Sequence, residues 1–213
     1  MLTEWYGEKN IHNMITIQQA RLQDVNTIVR IHKEAFPNFF LTSLGNTFLH
    51  LYYRCMSKSK EAITLCAIND GIVVGFSATA LISKGFNIRL VRQNVLRFSI
   101  EGIRLLLIRP KALIRLINNF TKKSDVIDDA CQYAELFSFG VSPAFQGLGA
   151  GRALLLETES IVSKMGGRAL SLTTDKNNND SAIAFYQSCG YQILYEFTAY
   201  PDRKMFRFIK KLE

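Results

Sequence analysis

No stretch of this 213-residue chain stays apolar for the roughly 18–20 residues that a membrane-spanning helix needs. The opening residues, MLTEWYGEKN, lack a basic stretch followed by an apolar one, so no secretory signal is expected. Cys55, Cys66, Cys131 and Cys189 stand far apart without a CxxC spacing. That is the pattern of reduced thiols in a cytoplasmic protein, not of a disulfide framework. His12, His32 and His50 form no ligand pattern with them, so no metal is expected, and His50 is expected on a helix surface. Internal repeats and low-complexity linkers are also missing. What remains is a globular composition, 48% hydrophobic and 21% charged, in a length that suits one domain spanning residues 1–213.

The charge is unevenly spread. Ten of the Lys and Arg residues fall between Lys84 and Lys123 against a single acid, Glu101, while the whole chain nets only +8. The basic character therefore belongs to one segment, and the remainder is close to neutral.

Periodicity outlines the elements. Ile15–Arg21 alternates weakly and suits a strand. Asp24 is expected to cap a helix whose apolar positions Val25, Ile28, Val29 and Phe36 repeat at helical spacing, ended by Pro37. A second helix is expected from Thr42 or Asn46 to Ser57. Ala62–Ile68 and Ile72–Leu81 flank Asn69-Asp70-Gly71, a hairpin signal. In the basic segment Leu96, Ile100, Ile103 and Leu107 have helical spacing, Pro110 breaks the run, and Ala112–Phe120 reads as a further helix. Then come a strand (Ala134–Val141), a helix (Gly149–Lys164), a strand (Ala169–Thr174), a helix (Asp180–Cys189) stopped by Gly190, and two strands (Tyr191–Ala199, Lys204–Lys210). This order predicts an α/β fold with a mixed sheet.

The densest signal is FGVSPAFQGLGAGRALL, residues 139–155, where three glycines sit between a strand and a helix. The first N–H groups of a helix have no intrahelical partner, and its dipole adds partial positive charge there. A glycine-rich turn at that point suits a phosphate. The spacing is neither GxxxxGK[ST] nor GxGxxG. It reads Gln146-x-x-Gly149-x-Gly151, and about 30 residues later comes NDSAIAFYQSCGY, with Asn179, Ala182, Tyr186, Gly190 and Tyr191.

These two segments, in this order, resemble the GNAT superfamily of acyl-CoA-dependent N-acetyltransferases. The resemblance is carried by Ala134–Tyr191 and extends by element order to both flanks. It implies the GNAT fold, a mixed six- to seven-stranded sheet flanked by helices, with acetyl-CoA as co-substrate. The backbone N–H groups of Gly147, Leu148, Gly149, Ala150, Gly151 and Arg152, in the motif opened by Gln146, would grip the pyrophosphate. Arg152 reads equally well as a solvated helix residue. Phe139 and Val141 would pair through their backbones with the pantetheine arm, and Asn179 would hydrogen-bond that arm or serve only the helix start.

For the chemistry, an attacking amine must lose a proton and a leaving thiolate must be stabilised. Glu135, in the AE-hydrophobic context that carries the general base of the histone-acetylating branch, is the candidate base or a substrate-orienting contact. It shares strand parity with Phe137, Phe139 and Val141 unless a bulge intervenes. Tyr186 matches the family's general acid, with a half-buried helix aromatic as the plainer reading. The resemblance places the acceptor between the first helices and neighbouring loops. There Phe39 and Phe40 follow Pro37 in a segment rich in aromatics that could stack on a sugar. The expected acceptor is a primary amine of a small molecule, such as an amino sugar or nucleotide amino sugar. A coenzyme-binding sensor without catalysis and an enzyme acting on a protein amine are the alternatives.

Residues 84–124 form a basic helical insertion between strands 3 and 4 on this reading. It could pack on the core with a solvated basic face, lie on an anionic membrane surface through 84–123, or attract a phosphorylated acceptor or coenzyme A. Nucleic acid is the least expected partner.

Overall fold

Asp70 and Gly71 both take positive φ, 49° and 76°, as a two-residue primed turn requires. They close a hairpin of β2 (Ala62–Asn69) and β3 (Ile72–Ala80), to which β1 (Thr16–Gln19) adds an outer strand. The computed structural model describes residues 15–121, 130, 132–199 and 202–213. His12, Cys131, Lys122 and Lys123, and the opening residues read for a signal, lie outside the described residues.

The remaining strands are β4 (Ala134–Val141), β5 (Ala169–Asp175), β6 (Gln192–Ala199) and β7 (Arg203–Lys211), giving a seven-stranded sheet in the order β1-β2-β3-β4-β5-β7-β6. All neighbours are antiparallel except β4 and β5, whose parallel pairing needs a crossover. That crossover is α7 (Ala150–Lys164). One face of the sheet is covered by α1 (Val25–Ala35) and α3 (Asn46–Lys58), which bury Ile28, Leu49, Tyr53 and Met56 against Phe76. The other carries α7 and α8 (Asp180–Ser188), with Leu154, Val162, Leu170, Leu172, Tyr186 and Phe208 in a second core. Each fully buried side chain of this size contributes about 1.5–3 kcal/mol.

Three details depart from the sequence reading. Asp24 precedes α1, but its Oδ2 reaches back to accept the Arg21 N–H at 2.8 Å and makes no cap bond into the helix. The second helix begins at Asn46, one of its two expected starts, but it is preceded by a short helix that was not expected, α2 (Phe40–Ser43), with Gly45 at φ 90° between them. The basic segment forms three helices rather than two: α4 (Phe86–Gln93), α5 (Val95–Ile108) and α6 (Pro110–Thr121). Pro110 does end α5, and it opens α6 at the first helical position, where a missing N–H costs nothing. The stripe at helical spacing does not pack on the core: Leu96 is 78% exposed, Ile100 70%, Ile103 62% and Leu107 78%. Leu105 and Glu101 face inward instead, with Phe98 packed against the core beside them.

Two irregularities interrupt β4. Pairing with β5 covers only Ala134–Leu136 opposite Leu170–Leu172, after which β5 continues with β7 alone. The strands therefore part at Leu136. In the register with β3, Ser138 lies opposite Ala78 and Leu136 opposite Thr79, so Phe137 is the extra residue of a bulge.

Candidate active site

The glycine loop is built from a 3-10 turn, Pro143–Phe145, followed by Gly147 at φ 78° and Gly149 at φ 86°. A Cβ at either glycine would meet no atom within 4 Å, so the concave side of the loop is open and bare. Gly149 precedes α7, and the first N–H returned inside the helix is that of Ala153, bonding the Gly149 carbonyl at 3.0 Å. The N–H groups of Ala150, Gly151 and Arg152 thus have no place in the helix ladder. A Cβ at Gly151 would meet the rings of Phe185 and Phe139 at 3.5–3.6 Å, ordinary van der Waals contact, so the start of α7 packs directly on these aromatics. Leu148 is half-exposed on the loop. The donor set fits a pyrophosphate: consecutive backbone N–H groups, a helix dipole and no side chain in the way.

Two side chains of the motif turn elsewhere. The Arg152 guanidinium donates to Ser188 Oγ at 3.1 Å, toward α8. Gln146 Nε2 folds back to the Val141 carbonyl at 3.4 Å. Arg152 therefore offers the loop its backbone rather than its charge in this conformation.

Beyond Leu136 one edge of β4 faces the gap left by β5. Ser142 donates its N–H to Val74 O of β3 at 2.8 Å. Alternation along the strand turns Gly140 toward β3 as well and aims the backbone groups of Phe139 and Val141 into the gap. The side chains of Phe139 and Val141 lie on the α7 face, in the second core. The gap is thus lined by backbone that an extended ligand can pair with.

Across it stands α8. Asn179 Nδ2 donates to Thr174 Oγ1 and to the Asp175 carbonyl, the latter at 3.2 Å, which ties the helix start to the end of β5. The amide orientation follows from the carbonyl, which can only accept. Tyr186 sits among Phe139, Phe185, Tyr191 and Phe208, with ring centroids 5.3–6.2 Å away. Burial, then the neighbouring Cys189, pushes its hydroxyl well above the ordinary tyrosine range, so it is protonated at neutral pH.

Glu135 lies on the opposite face. A bulge does intervene, at Phe137, so Glu135 does not share the face of Phe139 and Val141: Phe137 stacks on Phe86 of α4, while Phe139 and Val141 turn to the α7 side. Glu135 is buried on the α1–α3 side, where its charge raises the Tyr52 phenol after the larger effect of that ring's own burial. Its Oε1 accepts from Arg207 at 3.0 Å and its Oε2 from the Ser83 hydroxyl. Arg207 also donates to Ser171 at 3.2 Å and lies over the rings of Tyr133, Tyr195 and Phe197.

Sequence reasoning missed Ser83 and Arg207. The available signal was an arginine inside the apolar run MFRFI of β7, where a lone charge demands a buried partner. Nothing marked Ser83. Phe39 and Phe40, expected as bare stacking surface, each carry a guanidinium: Arg203 lies 5.2 Å from the Phe39 ring and Arg115 5.7 Å from that of Phe40. Arg203 is fixed in turn by a bidentate pair with Asp175 at 2.6–2.9 Å.

Comparison with known proteins places this arrangement. The model of the acetyltransferase (GNAT) family matches residues 25–191. A search of curated proteins gives no match. Among solved structures, the ribosomal-protein-S18-alanine N-acetyltransferase of Escherichia coli superposes with a TM-score of 0.60 at 17% identity, over 94% of this chain and 95% of its own. YncA of Salmonella typhimurium, determined with acetyl-CoA, gives 0.61 at 15% identity over 94% and 95%. The PaiA N-acetyltransferase of Thermoplasma acidophilum, in complex with coenzyme A, gives 0.52 at 16% identity over 93% and 99%. At these identities the structures carry the fold, and the family model carries membership. The chain belongs to the GNAT family and is an N-acetyltransferase that uses acetyl-CoA.

Proposed function

We propose that the protein moves an acetyl group from acetyl-CoA to a primary amine of a small molecule, with amino sugars and nucleotide amino sugars as the class to test first. The reading is supported chiefly by one relationship. Glu135 and Tyr186 lie on opposite faces of β4, and the gap beyond Leu136 is where a ligand can reach from one face to the other. The glycine loop, the Phe139 and Val141 backbone and Asn179 hold the coenzyme on the α7 side. Acetyl-CoA supplies the acyl group as a thioester.

On the α1–α3 side Glu135 takes the proton that the acceptor amine loses as its nitrogen bonds the acyl carbon. Both carboxylate oxygens already accept a hydrogen bond, but a carboxylate has about four lone-pair sites. With so little of Glu135 exposed, the proton reaches it through one water or through Ser83. As the carbon–sulfur bond breaks, Tyr186 gives its proton to the departing sulfur. Arg207 holds the Glu135 carboxylate in place. Tyr195 and Phe197, with the Asp175–Arg203 pair nearby on β5 and β7, offer the acceptor mixed aromatic and polar surface.

The experiment is calorimetric titration with acetyl-CoA, followed by a thiol-release screen over amino sugars, nucleotide amino sugars, amino acids, polyamines and peptide N-termini. Micromolar coenzyme binding with turnover on a sugar amine is the expected result. Turnover confined to peptides would replace the small-molecule acceptor with a protein one.

A further inference from the structure

The α5 helix is apolar on the side that faces away from the protein. Leu96, Ile100, Ile103 and Leu107 recur at helical spacing and are 62–78% exposed, with Val95, Leu106 and Ile108 exposed beside them. The neighbouring helices continue the pattern: Ile88 and Val91 are exposed on α4, and Ile114 and Ile117 on α6. Isolated exposed leucines are ordinary, but this many on three consecutive helices mark an interaction surface.

The charge around the surface selects its occupant. Arg97 and Arg104, seven residues apart, border the α5 stripe, and Lys84, Arg92 and Lys111 are exposed on the same segment. The only acid, Glu101, is buried and paired with Arg104 at 2.6–2.7 Å, so it offsets none of the others. The segment's Lys and Arg outnumber its acids ten to one. A second copy of the chain would set like charge against like charge across the interface. A bilayer surface rich in anionic lipids offers hydrocarbon for the stripe and phosphates for its border. At 14 residues α5 is about 21 Å long, short of a bilayer core, and no helix among the described residues is long and apolar enough to cross. It can lie in the interface plane only.

We propose that α4–α6 dock this protein on an anionic membrane, with the outer stripe of α5 sunk among the acyl chains and the flanking Arg and Lys on the headgroups. The segment is rooted at the acceptor side of the active site. Phe86 of α4 stacks on Phe137 of β4, Ser83 bonds Glu135, and Arg109 donates to the Ser43 carbonyl at 2.9 Å. The inference stands independently of the acceptor proposed above.

The test is sedimentation of the full chain with vesicles of phosphatidylcholine alone or mixed with phosphatidylglycerol, at low and high salt. The chain is expected to pellet with the anionic vesicles at low salt and to be released in part by high salt. The variant L96S/I103S/L107S is expected to partition roughly tenfold or more weakly. Ile72→Ser, at a 57% exposed position in the distant hairpin, should partition as the parent does. Melting curves and acetyl-CoA titration check that the variants fold. Should the triple variant not fold, the charge reversal R92E/R97E/K111E replaces it with the same expected loss. No pelleting with anionic vesicles at low salt, or equal pelleting of parent and variant, overturns the proposal. So does equal binding to neutral and anionic vesicles. A lipid-free dimer by light scattering that the triple variant abolishes assigns the face to a second copy and likewise overturns it.

Discussion

The Arg207 guanidinium reaches over β5 to donate to Glu135 Oε1 at 3.0 Å, and the two side chains are only 13% and 8% exposed. Burial opposes the charge on Arg207, but Glu135, with Tyr133 and Tyr195, outweighs it and keeps the guanidinium charged well beyond its usual range. A pair this deep is costly to break from one side. Arg207→Met should destabilise the fold by about 3–5 kcal/mol, because it leaves the Glu135 carboxylate buried without its cation. Adding Glu135→Gln removes that orphan charge. The double variant should therefore recover much of the loss, which denaturant titrations of the four proteins in the cycle will read.

Glu135→Gln alone separates the two roles open to this residue. As the proton acceptor its loss should lower kcat by about 10²–10⁴-fold and remove the limb of the pH–rate profile that reports the base. As a positioning residue it would change the rate and leave the profile's shape. Thiol-release kinetics from pH 5 to 10 distinguish these outcomes, and an unaltered profile demotes Glu135.

Tyr186→Phe keeps the ring among Phe139, Phe185, Tyr191 and Phe208 and deletes only the hydroxyl. Acetyl-CoA affinity should be unchanged, while kcat should drop by about 10²-fold or more if the hydroxyl protonates the leaving sulfur. Unchanged turnover would remove Tyr186 from the mechanism.

What could be read from the chain divides on physical grounds. The glycine loop, the Asp70-Gly71 hairpin and the α8 stop at Gly190 were legible, because each depends on local backbone geometry that only certain residues adopt. The face occupied by Glu135 was not, because one extra residue at Phe137 reverses the alternation and nothing in AELFSF announces it. Ser83 and Arg207 meet Glu135 from 52 and 72 residues away, a tertiary fact without local signature. The α5 stripe shows the opposite hazard. Its helical period was correctly visible, but period alone does not say which side faces the core when both sides are apolar.

Gly149→Val should abolish acetyl-CoA binding, by placing a β-branched side chain in the open side of the loop at φ 86°. The same backbone strain accompanies Gly71→Val, at φ 76° in the β2–β3 turn, also with no atom within 4 Å of a new Cβ. Both should lose about 1–2 kcal/mol of stability, a cost set by the left-handed backbone. Only the Gly149 variant should lose calorimetric binding. Equal binding by the two would mean that the loop does not receive the coenzyme.

His32 supplies a pH-dependent stability that is independent of catalysis. It is fully buried on α1, its Nδ1 lies 2.7 Å from the Tyr53 hydroxyl, and Phe36 and Phe39 enclose the ring. Its buried Nε2 has no hydrogen-bond partner among the described residues. Burial lowers its pKa from 6.5 to about 4. As pH falls below 6.5 the unfolded chain takes up a proton that the folded protein refuses until about pH 4. Stability is therefore intact above 6.5, declines through this window, and stops declining from this source below it. The full loss is about 3 kcal/mol. His32→Asn keeps an acceptor near the Nδ1 position for Tyr53 and removes the titration. Its stability, measured by denaturant unfolding from pH 8 to pH 4, should start lower than the parent's and fall less steeply. Parallel curves would show that His32 is protonated in the folded protein well above pH 4.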